Sequence, residues 1–109
     1  MKENSNLELT SMTLIANSGD ARSKAFEALE QAKLQSFEQA EALIEEAKAY
    51  STKAHNAQTE LLFKEANGEN ETVNVLLVHA QDHFMTSLLA IELIEEMIRL
   101  RQEIYGGEK

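Results

Sequence analysis

The 109-residue sequence contains no cysteine and no proline, and only four glycines. Without cysteine there can be no disulfide scaffold, thiolate zinc site, iron–sulfur cluster or cysteine nucleophile. Without proline, nothing interrupts long helices, because proline is the residue a helix interior tolerates least. No run of about 18 apolar residues occurs, and no basic segment precedes a short apolar core; a membrane span, membrane insertion and a signal peptide are not expected, and a cytoplasmic location follows. Basic residues are scarce: ten Lys and Arg against 19 acids, a net charge of -9. A nucleic-acid partner, which needs a basic face to displace counterions, is thereby excluded.

Among the 19 acids, 17 are glutamate, a good helix former; the two aspartates are Asp20 and Asp82. Aspartate competes with the helix backbone through its own side chain and prefers caps. Asp20 follows Gly19 in a turn-like Asn17-Ser18-Gly19-Asp20 run where a cap is reasonable, whereas Asp82 lies far from any turn signal.

Apolar spacing predicts three helices in one domain spanning 1–109. Residues 1–6 are polar and expected to fray. A first helix over about 7–33 carries Leu14, Ala21, Ala25, Ala28 and Ala32 on one face, flanked by Ile15, Phe26 and Leu29. Gly19 falls inside it and is read as a bend in one helix. Ser36 and Gln39 form a capping-box pattern for a second helix over about 37–66, whose inner stripe reads Ala40, Leu43, Ala47, Tyr50, Ala54, Ala57 and Leu61. Gly68 ends it, and a third helix runs over about 72–105, stopped by Gly106-Gly107. No strand alternation appears. The fold class is all-α, an antiparallel three-helix bundle. The third helix is apolar around well over one face, and a three-helix bundle covers only one; its surplus surface calls for self-association.

The chemistry concentrates in Val78-His79-Ala80-Gln81-Asp82-His83. His79 and His83 are one turn apart and share a face. Asp82 continues a second stripe, Val75, Val78, Asp82, Met85 and Leu89, at alternating spacings of three and four. An ionised carboxylate in such a seam needs a histidine, a cation from another chain or a metal to compensate it; copies of Asp82 meeting at a symmetry axis would need a divalent cation or shared protons. A satisfied structural role, phosphate acceptance and metal ligation all remain open for this turn. Zinc hydrolysis is not expected, since no glutamate stands between the histidines as in His-Glu-x-x-His. No phosphate-binding loop, nucleophile elbow or kinase signature occurs. His55 reads as a histidine hydrogen-bonded within the bundle; Met12, Met85 and Met97 read as core, and Glu45-Glu46 and Glu95-Glu96 as solvated faces.

The segment Leu77-Val78-His79-Ala80-Gln81-Asp82-His83-Phe84-Met85-Thr86-Ser87 resembles the signature of the lactose/cellobiose-family enzyme IIA components of the bacterial phosphoenolpyruvate-dependent sugar phosphotransferase system. Asn17 to Ser23 and Ala54 to Thr59 match in order, and the likeness extends over about 9–100, with Phe84 standing where leucine is common. The resemblance implies a homotrimer with the third helices around the threefold axis. It implies that His79 accepts a phosphoryl group from HPr and passes it to a cysteine of a β-disaccharide-specific enzyme IIB. It also implies that Asp82 binds a divalent cation, magnesium, at the axis, and that His83 and Gln81 line the phosphate site. A protonated His83 would donate a hydrogen bond to the phosphoryl oxygens. The Asn-Ser-Gly opening and the His-Ala-Gln-Asp-His turn look closer to the cellobiose and diacetylchitobiose branch than to the lactose branch. The alternative from the residues alone is a metal-stabilised trimeric helical scaffold or regulatory module without phosphoryl transfer.

Overall fold

Glutamate, alanine and leucine, all strong helix formers, are the commonest residues of the chain. The computed structural model describes residues 2–69 and 73–107, which form three helices: α1 (Lys2–Lys33), α2 (Phe37–Ala66) and α3 (Val75–Gly107). They make a rod of 61 × 20 × 19 Å. Cross-helix pairs give the directions. Lys24 with Glu46 sets α1 against α2, and Glu41 with Gln102, Lys48 with Glu95 and Gln58 with Gln81 run α3 antiparallel to α2. Arg22 with Thr86 and Ser87 then places α1 parallel to α3.

The core follows from α1. Leu7, Ser11, Leu14, Ser18, Ala21, Ala25, Ala28 and Ala32, at unbroken spacings of four and three, are all buried. Alanine methyls let α2 and α3 approach the α1 axis closely, so α1 packs against both more extensively than they pack against each other. Ala40, Ile44, Ala47, Ala54 and Ala57 come in from α2, and Ala80, Phe84, Ser87, Ile91, Ile94 and Ile98 from α3. Ile44 joins the α2 stripe in place of Leu43, which with Tyr50 and Leu61 is only half-buried.

Both interhelical turns close in the same way. At the end of α1, Gln35 sits at φ 64° while its N–H bonds Ala32 O at 3.0 Å and Ser36 N–H bonds Gln31 O at 2.9 Å. At the end of α2, Gly68 at φ 83° bonds Glu65 O at 3.0 Å, and Glu69 N–H bonds Lys64 O at 2.8 Å. This left-handed residue with paired backward bonds is the Schellman closure. The glycine was legible; Gln35, an ordinary residue in the glycine conformation, was not.

Several expectations are corrected. α1 starts at Lys2 rather than at Leu7, because nothing in Lys2 to Asn6 breaks a helix; residue 1 lies outside the described residues. It continues unbroken through Gly19 as one helix, and Asp20 is an exposed mid-helix residue that caps nothing. Ser36 makes no side-chain cap bond: the left-handed turn at Gln35 leaves it at φ -89°, ψ 69°, and only its carbonyl serves, accepting from Ala40 N at 3.0 Å. α3 begins at Val75, capped by Asn74, whose Oδ1 accepts from Leu77 N at 2.8 Å, and ends at Gly107; Thr72 lies outside the described residues. Met12, Met85 and Met97 point outwards, not into the core, since they fall off the buried stripes of α1 and α3. Glu45, Glu46, Glu95 and Glu96 are laced to Lys48, Lys24 and Arg99 rather than merely solvated.

Candidate functional site

The histidine turn lies on the flank of α3 that faces α1. The rings of His79 and His83 stack with centroids 5.8 Å apart and planes within 12°. This is what an i, i+4 pair does on a straight helix. His79 is exposed, and its ring makes no hydrogen bond among the described residues; His83 is half-buried. Across the groove on α1 stands Gly19, whose missing side chain faces His83 Nε2.

One helical turn beyond Gly19, Arg22 reaches across to α3. Its Nε donates to Ser87 Oγ at 3.1 Å and its Nη2 to Thr86 Oγ1 at 2.7 Å. The Thr86 hydroxyl donates to the Asp82 carbonyl at 2.9 Å, with the His83 carbonyl at 3.3 Å. Arg22 therefore sits on two neutral hydroxyls, with no carboxylate partner among the described residues. In a chain of charge -9, that leaves a guanidinium available to an anion. Arg22 and Thr86 belonged to the recognisable segments but had no role assigned. Their pairing depends on helix register, and the only local hint was an arginine one turn past a mid-helix glycine.

Burial pushes His83 below the usual imidazole range; the Arg22 charge and the neighbouring His79 act in the same direction, and Asp82 opposes them. A neutral ring, not the protonated His83 expected, is the state this surrounding favours, and it still offers one N–H donor.

Gln81 does not share the histidine flank. Residues two apart on a helix do not face each other, and Gln81 leans towards α2, where its Oε1 accepts from Gln58 Nε2 at 2.5 Å. Within one chain the two groups expected around the phosphate are thus on opposite sides of α3. His55, expected to be satisfied inside the bundle, is exposed, with its ring 6.3 Å from Phe84.

Asp82 lies on a third side, pointing away from the bundle. Its carboxylate makes no hydrogen bond or ion pair among the described residues, so a single chain leaves the seam carboxylate solvated rather than buried. Along the same side Val75, Val78, Met85 and Leu89 are 85, 55, 61 and 55 % exposed, and Leu93, Leu100 and Ile104 continue the stripe. Among the described residues of one chain, no three His, Cys, Asp or Glu side chains converge on a metal position. No described helix is long and apolar enough to cross a membrane.

The family of the lactose/cellobiose-specific IIA subunit of the PTS, the sugar phosphotransferase system, matches residues 9–102. The chain belongs to this family. It is 45 % identical over 94 residues to the lactose-specific IIA component of Staphylococcus epidermidis, covering 86 % of this chain and 90 % of that one. The cellobiose-specific enzyme IIA of Bacillus anthracis superposes with a TM-score of 0.89 at 42 % identity, over 92 % of each chain. The chitobiose IIA of Escherichia coli, solved in complex with HPr, gives 0.79 at 44 % identity, over 91 % of this chain and 96 % of that one. This enzyme IIA chain is thus a phosphotransferase-system phosphocarrier component. Identities of 42 to 45 % to lactose, cellobiose and chitobiose relatives do not separate the sugar branches.

Proposed function

We propose that this IIA chain carries a phosphoryl group on His79, taking it from phosphorylated HPr and delivering it to a cysteine of a β-disaccharide-specific enzyme IIB. The observation that carries the reading is an exposed, unbonded imidazole on a family signature turn, stacked on a second histidine beside an arginine without a carboxylate partner. A ring nitrogen lone pair of His79 attacks phosphorus, the N–P bond of phosphohistidine HPr breaks, and the HPr imidazole leaves. In the second transfer a thiolate attacks and His79 leaves as the free imidazole. Such loose transition states need positioning and charge stabilisation more than covalent help. His83 is a secondary group of the phosphate site beside His79, whereas Gln81, held by Gln58 on the other side of α3, is not part of that same-chain site.

The working assembly is a homotrimer built on the exposed α3 stripe, which a monomer leaves in water. An exposed, unpartnered carboxylate between Val78 and Met85 fits a hard cation once copies meet, because carboxylate oxygens suit magnesium. Asp82 from each subunit would hold it, and the ion would supply charge neutralisation at the axis. The carrier works in the cytoplasm, and its sugar belongs to the cellobiose and diacetylchitobiose branch.

Incubation with phosphoenolpyruvate, enzyme I and HPr should add one acid-labile phosphate per chain, and His79→Ala should abolish it. Full labelling of that variant would place the acceptor elsewhere. Transfer to cellobiose-type but not lactose-type IIB proteins tests the sugar branch.

A further inference from the structure

α1 carries one glycine in its interior, and nothing in the backbone calls for it. Gly19 does not have a positive φ, and the helix continues to Lys33. Glycine is among the weakest helix formers, and alanine, the strongest, fills the neighbouring core positions of this helix. Close packing does not demand glycine either. A Cβ built there meets one atom within 4 Å, His83 Nε2 at 3.5 Å, an ordinary contact that alanine would satisfy. The one thing a methyl group would change is the surroundings of that nitrogen.

We infer that His83 acts through Nε2, and that Gly19 is the positioning residue that keeps this nitrogen open to the groove between α1 and α3. The inference rests on the phosphoryl-carrier reading. A hydrogen-bond acceptor must approach within about 3 Å of Nε2, and a methyl at van der Waals distance from the same atom occupies part of that approach. With hydrogen in its place, an oxygen of the phosphoryl group can accept from the Nε2 N–H. One turn along the groove, Arg22 adds positive charge, fixed in place by Ser87 and Thr86. The glycine thus gives up helix propensity at an α1 position where a side chain would crowd the ring nitrogen.

Transfer from phosphorylated HPr and thermal melting, measured on the full chain, test this with Gly19→Ala, His83→Gln, His83→Asn and the Gly19→Ala/His83→Asn double variant. Glutamine puts its amide nitrogen where Nε2 lies, and asparagine puts its own where Nδ1 lies. Gly19→Ala should melt at or above the wild type yet transfer more slowly, by up to roughly a hundred- to thousandfold, the scale for losing one preorganised donor, with the loss in kcat rather than KM. His83→Gln should keep most of the rate, His83→Asn should lose it, and adding Gly19→Ala to His83→Asn should cost nothing more. A labelled wild type with Gly19→Ala equally fast overturns the inference and leaves the carrier reading standing. So does His83→Asn outperforming His83→Gln, or Gly19→Ala slowing the asparagine variant by the same factor. A Gly19→Ala chain that melts far below the wild type overturns the Gly19 assignment, and the glutamine and asparagine pair then decides Nε2. A wild-type chain that takes no label overturns the carrier reading and this inference with it.

Discussion

Two hydroxyls in the centre of α1 set up the sharpest stability prediction. Ser11 and Ser18 are 0 and 1 % exposed, and neither Oγ has a hydrogen-bond partner among the described residues. They occupy positions of the inner stripe that leucine or alanine fill elsewhere, so Ser11→Ala and Ser18→Ala remove one oxygen each and little else. Leaving a buried hydroxyl unpaired costs about 1–3 kcal/mol, and alanine gains up to about 0.5 kcal/mol in helix propensity. Against this stands the lost dispersion of a single buried atom, at most about 1 kcal/mol. Each substitution should therefore stabilise the chain by roughly 1–2 kcal/mol. The positions are two turns, about 10 Å, apart, so the double variant should be nearly additive. Urea denaturation at fixed protomer concentration measures it: the midpoint should rise with an unchanged slope. A loss of 1 kcal/mol or more at either site would refute the reasoning, since it would mean that the hydroxyl has a partner whose removal is felt.

Other outcomes follow from the same structure. Gln35→Gly should stabilise the first turn by up to about 1 kcal/mol, because only glycine holds φ near 64° without a Cβ penalty; Gly68→Ala should lose a similar amount, both read by thermal melting. Removal of divalent cations with a chelator should weaken the proposed trimer of the wild-type chain in analytical ultracentrifugation and leave Asp82→Asn unaffected, since that variant has no charge for a cation to neutralise. For His83 the folded pKa is depressed, so below the ordinary value near 6.5 the unfolded chain binds the extra proton first. Stability is then complete above about pH 6.5 and falls as pH drops towards the folded value; His83→Gln should flatten that slope in pH-dependent melts.

What lay on single helices could be read without coordinates. The alanine stripe of α1, the apolar excess of α3, the stop at Gly68 and the stacked histidines all depend on periodicities of three and four or on glycine's freedom at positive φ. Those are local properties, carried by residues within one or two turns of each other. Methionines were misjudged for the converse reason: an apolar residue announces that it can be buried, but the face it occupies decides whether it is.

Sequence alone thus determined the three helices, the buried face of α1 and most of that of α2, and the turn that carries the phosphocarrier signature, but not which face of α3 would be buried. Tertiary structure decided who stands opposite that turn. The parallel register of α1 on α3, whose alanines and isoleucines share one buried cluster, brings Arg22 to Ser87, 65 residues on, and Gly19 to His83. The antiparallel register of α2 draws Gln81 away to Gln58. A shift of one helical turn would keep every periodicity intact and replace each of those partners, because hydrophobic spacing selects a face, whereas only side-chain packing between faces selects a register.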